Sequence, residues 1–344
     1  MLRKFGLLEP LLPLMGRVRE VWSAYNGRVF RINPVEEYGI RYSDMVNVLR
    51  ANLPRAVEFK LGRIERITNS ADLQRVRLAG GEELTSRLVV LACGINSEIQ
   101  ASLGLDREVI QKDQSVTFGF TIARPDGLPF PFDEVTYYAT SCADQVDYIT
   151  LFPIGPTMRA NLFVFRSATA PWVGQFIREP SQMLELCLPK LRRLIGEYRV
   201  ISKVESGAVD LYRVKGEPQP GVVLIGDAFQ NSCPSTGSGL SKIFTDVDVL
   251  CSEFVPQWFA TAGMGADKIA SFYANPQKCD MDSDSLRVGL YRRRAATDLS
   301  FRWYIHRLRL HLSMQFRRPS RTASFTGLHE RPTDPLPQVV RKAS

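Results

Sequence analysis

Between residues 221 and 250 the chain reads GVVLIGDAFQNSCPSTGSGLSKIFTDVDVL, and the residue types and their spacing suit a planar ligand that carries hydroxyl groups. The apolar run GVVLI has the pattern of a buried strand and ends at Gly226 and Asp227. An acid just past the carboxyl end of a strand stands where open α/β sheets bind ligands. Asp227 can accept hydrogen bonds from ribose-like or ribityl hydroxyls, and Ala228 continues the tight turn. Pro234, Gly237 and Gly239 let backbone approach a flat ring system closely. A helix starting near Gly239, flanked by Ser238 and Leu240, aims its free N–H groups and positive dipole end at the same ligand.

Other reaction centres are scarce. The histidines are His306, His311 and His329, so a Ser-His-Asp triad or a His-ligated zinc in the body of the chain has to borrow from its C-terminal end. His306 and His311 lie five apart among arginines and read as two solvated residues on a basic helix. Cysteines stand at 93, 142, 187, 233, 251 and 279 without a Cys-x-x-Cys pair, the usage of reduced thiols in a cytoplasmic protein. Neither Cys142 nor Cys233 has a visible base beside it. The sequence names no metal ligand and no catalytic residue.

The elements that must position this stretch follow from hydrophobic periodicity. Residues 1–33 read as helical and then irregular, and YSDMVNVLRANLP from Tyr42 has helical spacing that stops before Pro54. The period then changes to two through VEFKLGRIERI and LQRVRLA, a Gly80-Gly81 turn, and the apolar run LVVLA at 88–92. Strands are expected at 115–123, 134–140, 146–154, 158–166 and 206–214, with one helix over 181–198 inserted before the last. Their aromatics (Phe118, Phe120, Tyr137, Tyr138, Tyr148, Phe152, Phe163, Phe165) are candidates for lining a pocket, although alternation sends half of such a set into a core. Helices are expected at about 239–253 and 265–275. Residues 287–321 hold ten arginines against Asp298 alone, a net +9, which leaves −1 for the rest of the chain. The basic pI therefore belongs to the C-terminal end and is no argument for nucleic-acid binding by the body.

The 221–250 stretch resembles the flavin-binding signature of the class A flavoprotein monooxygenases, the para-hydroxybenzoate hydroxylase type. It matches at Gly226, Asp227, Ala228, Pro234, Gly237, Gly239 and Asp246, and departs at Gln230 and Ser241, where the family has His and Asn. The resemblance implies that the Asp227 carboxylate holds the FAD ribityl chain and that the turn from Pro234 through Leu240 faces the isoalloxazine ring. A second family segment corresponds to LVVLACGINSEIQ, in which Gly94 and Ser97 match while Cys93 and Gln100 replace an Asp and an Arg. At the family's flavin-contacting Arg this chain has Tyr42, with Arg41 beside it. No Gly-x-Gly-x-x-Gly cluster stands near the N-terminus.

The expected fold is α/β, a doubly wound, Rossmann-like FAD-binding domain lacking its first βαβ unit. Residues 1–112 and 219–286 would form that domain, 113–218 an inserted β-sheet substrate lobe, 287–316 a basic helical tail, and 317–344 a disordered end. The implied activity is hydroxylation of a small organic substrate through a flavin C4a-hydroperoxide, with NAD(P)H or a flavin reductase as electron donor. The alternatives are an inactive, truncated homologue or a protein that binds a partner or a membrane surface, the basic tail making the peripheral membrane contact.

Overall fold

A computed structural model describes residues 2–96, 98–155, 157–316 and 320–321. Residues 317–319 and 322–344, which include most of the end expected to be disordered, lie outside the described residues, as does Ser97.

The N-terminus departs from the expectation of a helix. Strands β1 (Gly16–Tyr25) and β2 (Arg28–Gly39) form an antiparallel hairpin. Its two-residue turn is Asn26-Gly27, with φ of 52° and 76°. An Asn-Gly pair supplies two positive φ angles at little cost, which suits the right-handed twist of the flanking strands. Helix α1 (Tyr42–Ala51) follows as its spacing indicates, then a meander of β3 (Ile64–Thr68), β4 (Gln74–Leu78) and β5 (Glu83–Ser86), the strand β6 (Val89–Leu91), and the short α2 (Glu98–Ser102).

Next come the long β7 (Asp106–Ala123), β8 (Glu134–Tyr138), β9 (Val146–Ile154) and β10 (Thr157–Val164). A short α3 (Pro171–Arg178) comes first, and the single helix expected over 181–198 is two, α4 (Pro180–Cys187) and α5 (Leu191–Ile195). Pro180 opens α4 because a proline fits only a first helical turn, and Gly196 follows α5 at φ 82°. The chain returns through β11 (Arg199–Val200) and β12 (Glu205–Lys215) to β13 (Val222–Leu224).

Helix α6 (Gly239–Val249) passes through a wider turn at Leu250–Phe254 into α7 (Val255–Phe259). Then come α8 (Ala266–Tyr273), the long α9 (Pro276–Thr297), α10 (Phe301–Phe316) and the two-residue β14 (Ser320–Arg321).

A nine-stranded sheet runs β11-β7-β10-β9-β8-β1-β2-β14, with β12 also on β7. The N-terminal hairpin thus belongs to the same sheet as residues 106–215, and β1 joins it in parallel with β8. One face buries Phe118, Phe120, Ile122, Tyr137, Ile149, Leu151 and Leu162 against Val173, Phe176, Leu184 and Leu191 of the three short helices. Phe118 and Phe176 ring centroids lie 4.5 Å apart. β6 and β13 pair in parallel, Val222 opposite Val89. Their side chains, with Ile67, Leu103 and Leu105, form a separate core. β7 joins the two regions. It kinks at Asp113, φ 48°, where Asp113 N–H donates to Asp210 Oδ1 at 2.7 Å and the ladder with β12 shifts register.

Candidate functional site

The turn after β13 is held open by its backbone geometry and anchored from below. Gly226 has φ 58°, and a Cβ there would stand 3.1 Å from Ile243 Cγ1. Its N–H donates to Asp246 Oδ2 at 2.7 Å, and its carbonyl accepts from Lys242 Nζ at 3.2 Å. Lys242 and Asp246 belong to a buried quartet completed by Lys278 and Asp282 of α9, with N···O contacts between 2.9 and 3.6 Å. Lys278 Nζ also lies 4.4 Å from the Phe229 ring centroid. Any one of these charges alone would be costly to bury; two lysines opposite two carboxylates make the site tolerable. The family-motif Asp246 is therefore a support for the Gly226 N–H.

Asp227 stands above the quartet, half-buried. Burial pushes its carboxyl above the ordinary carboxylate value, Lys242 pulls the other way, and the Ser232 backbone N–H donates to it. Its carbonyl accepts from Tyr212 OH at 2.6 Å. Arg107 covers the Tyr212 ring at 4.1 Å, donates through Nε to Gln100 Oε1 at 2.8 Å and through Nη1 to Ile95 O at 2.9 Å. Gln100 closes the circuit by donating to Ala228 O at 2.7 Å. Arg107 Nη2 is buried with no hydrogen-bond partner among the described residues. The segments around Gly94 and Gly226 therefore converge, with the Arg107 guanidinium held beside Gln100. Cys93 is exposed as a residue, and partial desolvation of its Sγ raises its pKa.

Pro234–Thr236 forms a single turn, Gly237 follows at φ 66°, and α6 begins at Gly239 as expected. The first backbone N–H bonded inside α6 is that of Lys242, to Ser238 O at 2.9 Å. No side chain caps the helix. Ser238 Oγ instead contacts Ser285 Oγ at 2.8 Å and Thr236 Oγ1 at 2.6 Å. The N–H groups of Gly239, Leu240 and Ser241 are left to face outward beside the exposed Gly237 and Leu240.

The second face of the sheet lies against this turn. Tyr148 OH donates to Ser235 O at 2.6 Å, and the Tyr148 and Phe163 centroids are 4.7 Å apart. Phe165 is buried beside Cys233. Of the candidate aromatics, Tyr138 and Phe152 reach clefts. Tyr138 lines one of about 490 Å³ with Cys142, Tyr304, Leu308 and His311. Phe152 lines one of about 660 Å³ with Arg41, Tyr42, Arg159 and Asn161. Gln114 Oε1 and Thr117 Oγ1 are buried without a hydrogen-bond partner among the described residues.

Helix α9 straps the turn to the sheet. Gln114 Nε2 donates to Gly289 O at 3.0 Å, Arg293 Nη1 to Gln114 O at 2.8 Å, and Arg292 pairs with Asp147 at 3.1 Å. Burial raises the Asp147 carboxyl and the Arg292 guanidinium opposes it. Residues 287–297 are the second half of this packed helix. Gln230, the departure from the family's His, is fully buried, accepting from Arg213 Nε at 2.6 Å and donating to Asp282 O at 2.8 Å. The histidines are not solvated as expected: His306 Nε2 meets Tyr291 OH at 2.6 Å, and His311 Nδ1 contacts Tyr25 OH.

No family model matches the chain. A 3-demethoxyubiquinol 3-hydroxylase from Escherichia coli K12 is 27% identical over 191 residues, 54% of this chain and 44% of that protein. The matched region thus spans less than half the length of that relative. Among solved structures, the flavin-dependent brominase Bmp2 aligns over 92% of this chain and 77% of its own, with TM-score 0.65 and 20% identity. The p-nitrophenol 4-monooxygenase PnpA from Pseudomonas putida covers 92% and 82%, with TM-score 0.66 and 14% identity. Klebsiella pneumoniae HpxO, solved with FAD and uric acid, covers 91% and 80%, with TM-score 0.67 and 15% identity. The fold is that of the flavin-dependent monooxygenases and halogenases. Within this monooxygenase-type fold, Lys242, Lys278 and Arg107 are the supporting residues that sequence reasoning missed. The signal at hand was Asp246, an acid on the buried side of α6 that required a cation. No helix among the described residues is long and apolar enough to cross a membrane.

Proposed function

We propose that the protein is an FAD-dependent oxidoreductase of the monooxygenase type that hydroxylates a small organic substrate, drawing electrons from NAD(P)H or a flavin reductase. The observation that carries the reading is the convergence on one turn of a desolvated acceptor, an uncapped helix start and a buried guanidinium N–H without a partner. These fit a flavin. Asp227 would accept from ribityl hydroxyls, and the N–H groups of Gly239–Ser241 would donate to the carbonyl edge of the ring. Arg107 Nη2 would donate to an anionic or carbonyl oxygen. A bound flavin supplies the reduction of oxygen and the hydroxyl that is transferred. The chain's own groups would bind, orient and dry the substrate, and Gln114 Oε1 and Thr117 Oγ1, unbonded among the described residues, are candidate polar contacts.

The test is direct. FAD added to the purified chain is expected to show quenched fluorescence on binding, and Arg107→Met is expected to weaken binding roughly 10-fold or more, as for a lost hydrogen bond to a charged group. Substrate-stimulated oxidation of NADH or NADPH by the loaded protein, with a hydroxylated product by mass spectrometry, completes it. FAD binding that is absent, or unaffected by Arg107→Met, overturns this assignment of the site.

A further inference from the structure

We propose that α10 seats the protein on anionic lipid surfaces. The helix has two unlike sides. Trp303 packs on Tyr291 with centroids 5.6 Å apart. Arg307 Nη1 donates to Asp298 O at 2.6 Å and Ala295 O at 3.3 Å, and His311 contacts Tyr25. These contacts fix α10 to α9 and to the sheet along one line. Away from that line stand Phe301, Leu312 and Phe316, 78, 45 and 77% exposed, while Tyr304 and Leu308 edge the cleft shared with Tyr138 and His311. Leu299, 78% exposed, extends the ridge just ahead of the helix.

Apolar surface turned outward on a docked helix marks an interaction site. Charge selects its partner. Arg302 and Arg309 are exposed along one flank of the ridge, and Arg294 is exposed at the end of α9. Cations bordering an apolar ridge match a bilayer interface, where acyl chains take the ridge and anionic headgroups take the arginines. A second copy placed ridge to ridge would bring like charges together, and a nucleic acid would leave Phe301, Leu312 and Phe316 uncovered. The body-facing contacts of α9 mean that deleting the chain from residue 287 would remove core, so point variants are the proper probe.

The full chain is mixed with vesicles of phosphatidylcholine alone or with phosphatidylserine added, and sedimented. We expect binding to the anionic vesicles alone, lost in 0.5 M salt. Phe301→Ser with Phe316→Ser, and separately Arg294→Glu with Arg309→Glu, are each expected to weaken it at least 10-fold, given roughly 5-fold per basic residue. Both pairs alter exposed side chains, so thermal unfolding and FAD binding should be unchanged, which separates failure here from failure of the flavin reading. Equal binding to neutral vesicles, no loss in either pair, dimers abolished by the phenylalanine pair, or RNA binding that ignores that pair overturns the proposal.

Discussion

Asp227 illustrates the cost of preorganising an acceptor. Its raised pKa means that the folded protein pays to hold the carboxylate charged: the stability it contributes is present below the ordinary carboxylate range and lost as pH rises through the folded value. Asp227→Asn is therefore expected to raise the melting temperature of the ligand-free protein at neutral pH. The same change should weaken FAD roughly 10- to 100-fold, since hydrogen bonds to a charged acceptor are lost. Calorimetry and a fluorescence titration should move in opposite directions. Lys278 offers the converse case. Lys278→Met leaves Asp246 and Asp282 sharing one lysine, and breaking a buried pair typically costs about 3–5 kcal/mol, readable by urea unfolding. Lys278→Met with Asp282→Asn restores the charge balance and should recover part of that loss.

At the scale of elements, strand β8 carries a carboxyl whose ionisation the sheet opposes. Burial, reinforced by Glu37, lifts Glu134 from 4.5 to about 8. Its raised folded value makes stability decline as pH rises between 4.5 and about 8, and Glu134→Gln should flatten that slope in unfolding measured across the range. Elements with a strict local period were legible in the sequence: α1, β9 at 146–154 and the start of α6 at Gly239 stand where the pattern put them. The run 181–198 was not, because its apolar spacing continues through Leu188 while the backbone breaks there, φ −131° and ψ 58°, after Pro180 has already set one helix start. The turn at Gly226-Asp227 and the helix start at Gly239 were legible because turn and helix-start chemistry is local. Lys242 and Lys278 were not, since a lysine's residue type says nothing about a carboxylate brought to it by folding.

For the molecule as a whole, the largest departure is at the N-terminus. The alternation in β1 is blurred, with an i-e-B-e-i start and a wholly buried end at Ser23–Tyr25, so a period of two is hard to see; the Asn26-Gly27 turn was the available sign. Because β1 pairs with β8, hydrogen exchange is expected to protect amides of residues 21–25 together with those of 134–138, opening as one unit. Exchange of 21–25 in step with the meander of residues 64–86 would contradict that grouping. The same pairing has a consequence for biosynthesis. Tyr25 finds its partner at Tyr138, so at roughly 5–20 residues per second the hairpin waits on the order of ten seconds before the strand that covers its edge leaves the ribosome. During that interval the β1 edge, with Ala24 and Tyr25 destined for burial, is open to other nascent chains. Aggregation risk is thus concentrated in the interval between synthesis of the hairpin and synthesis of β8.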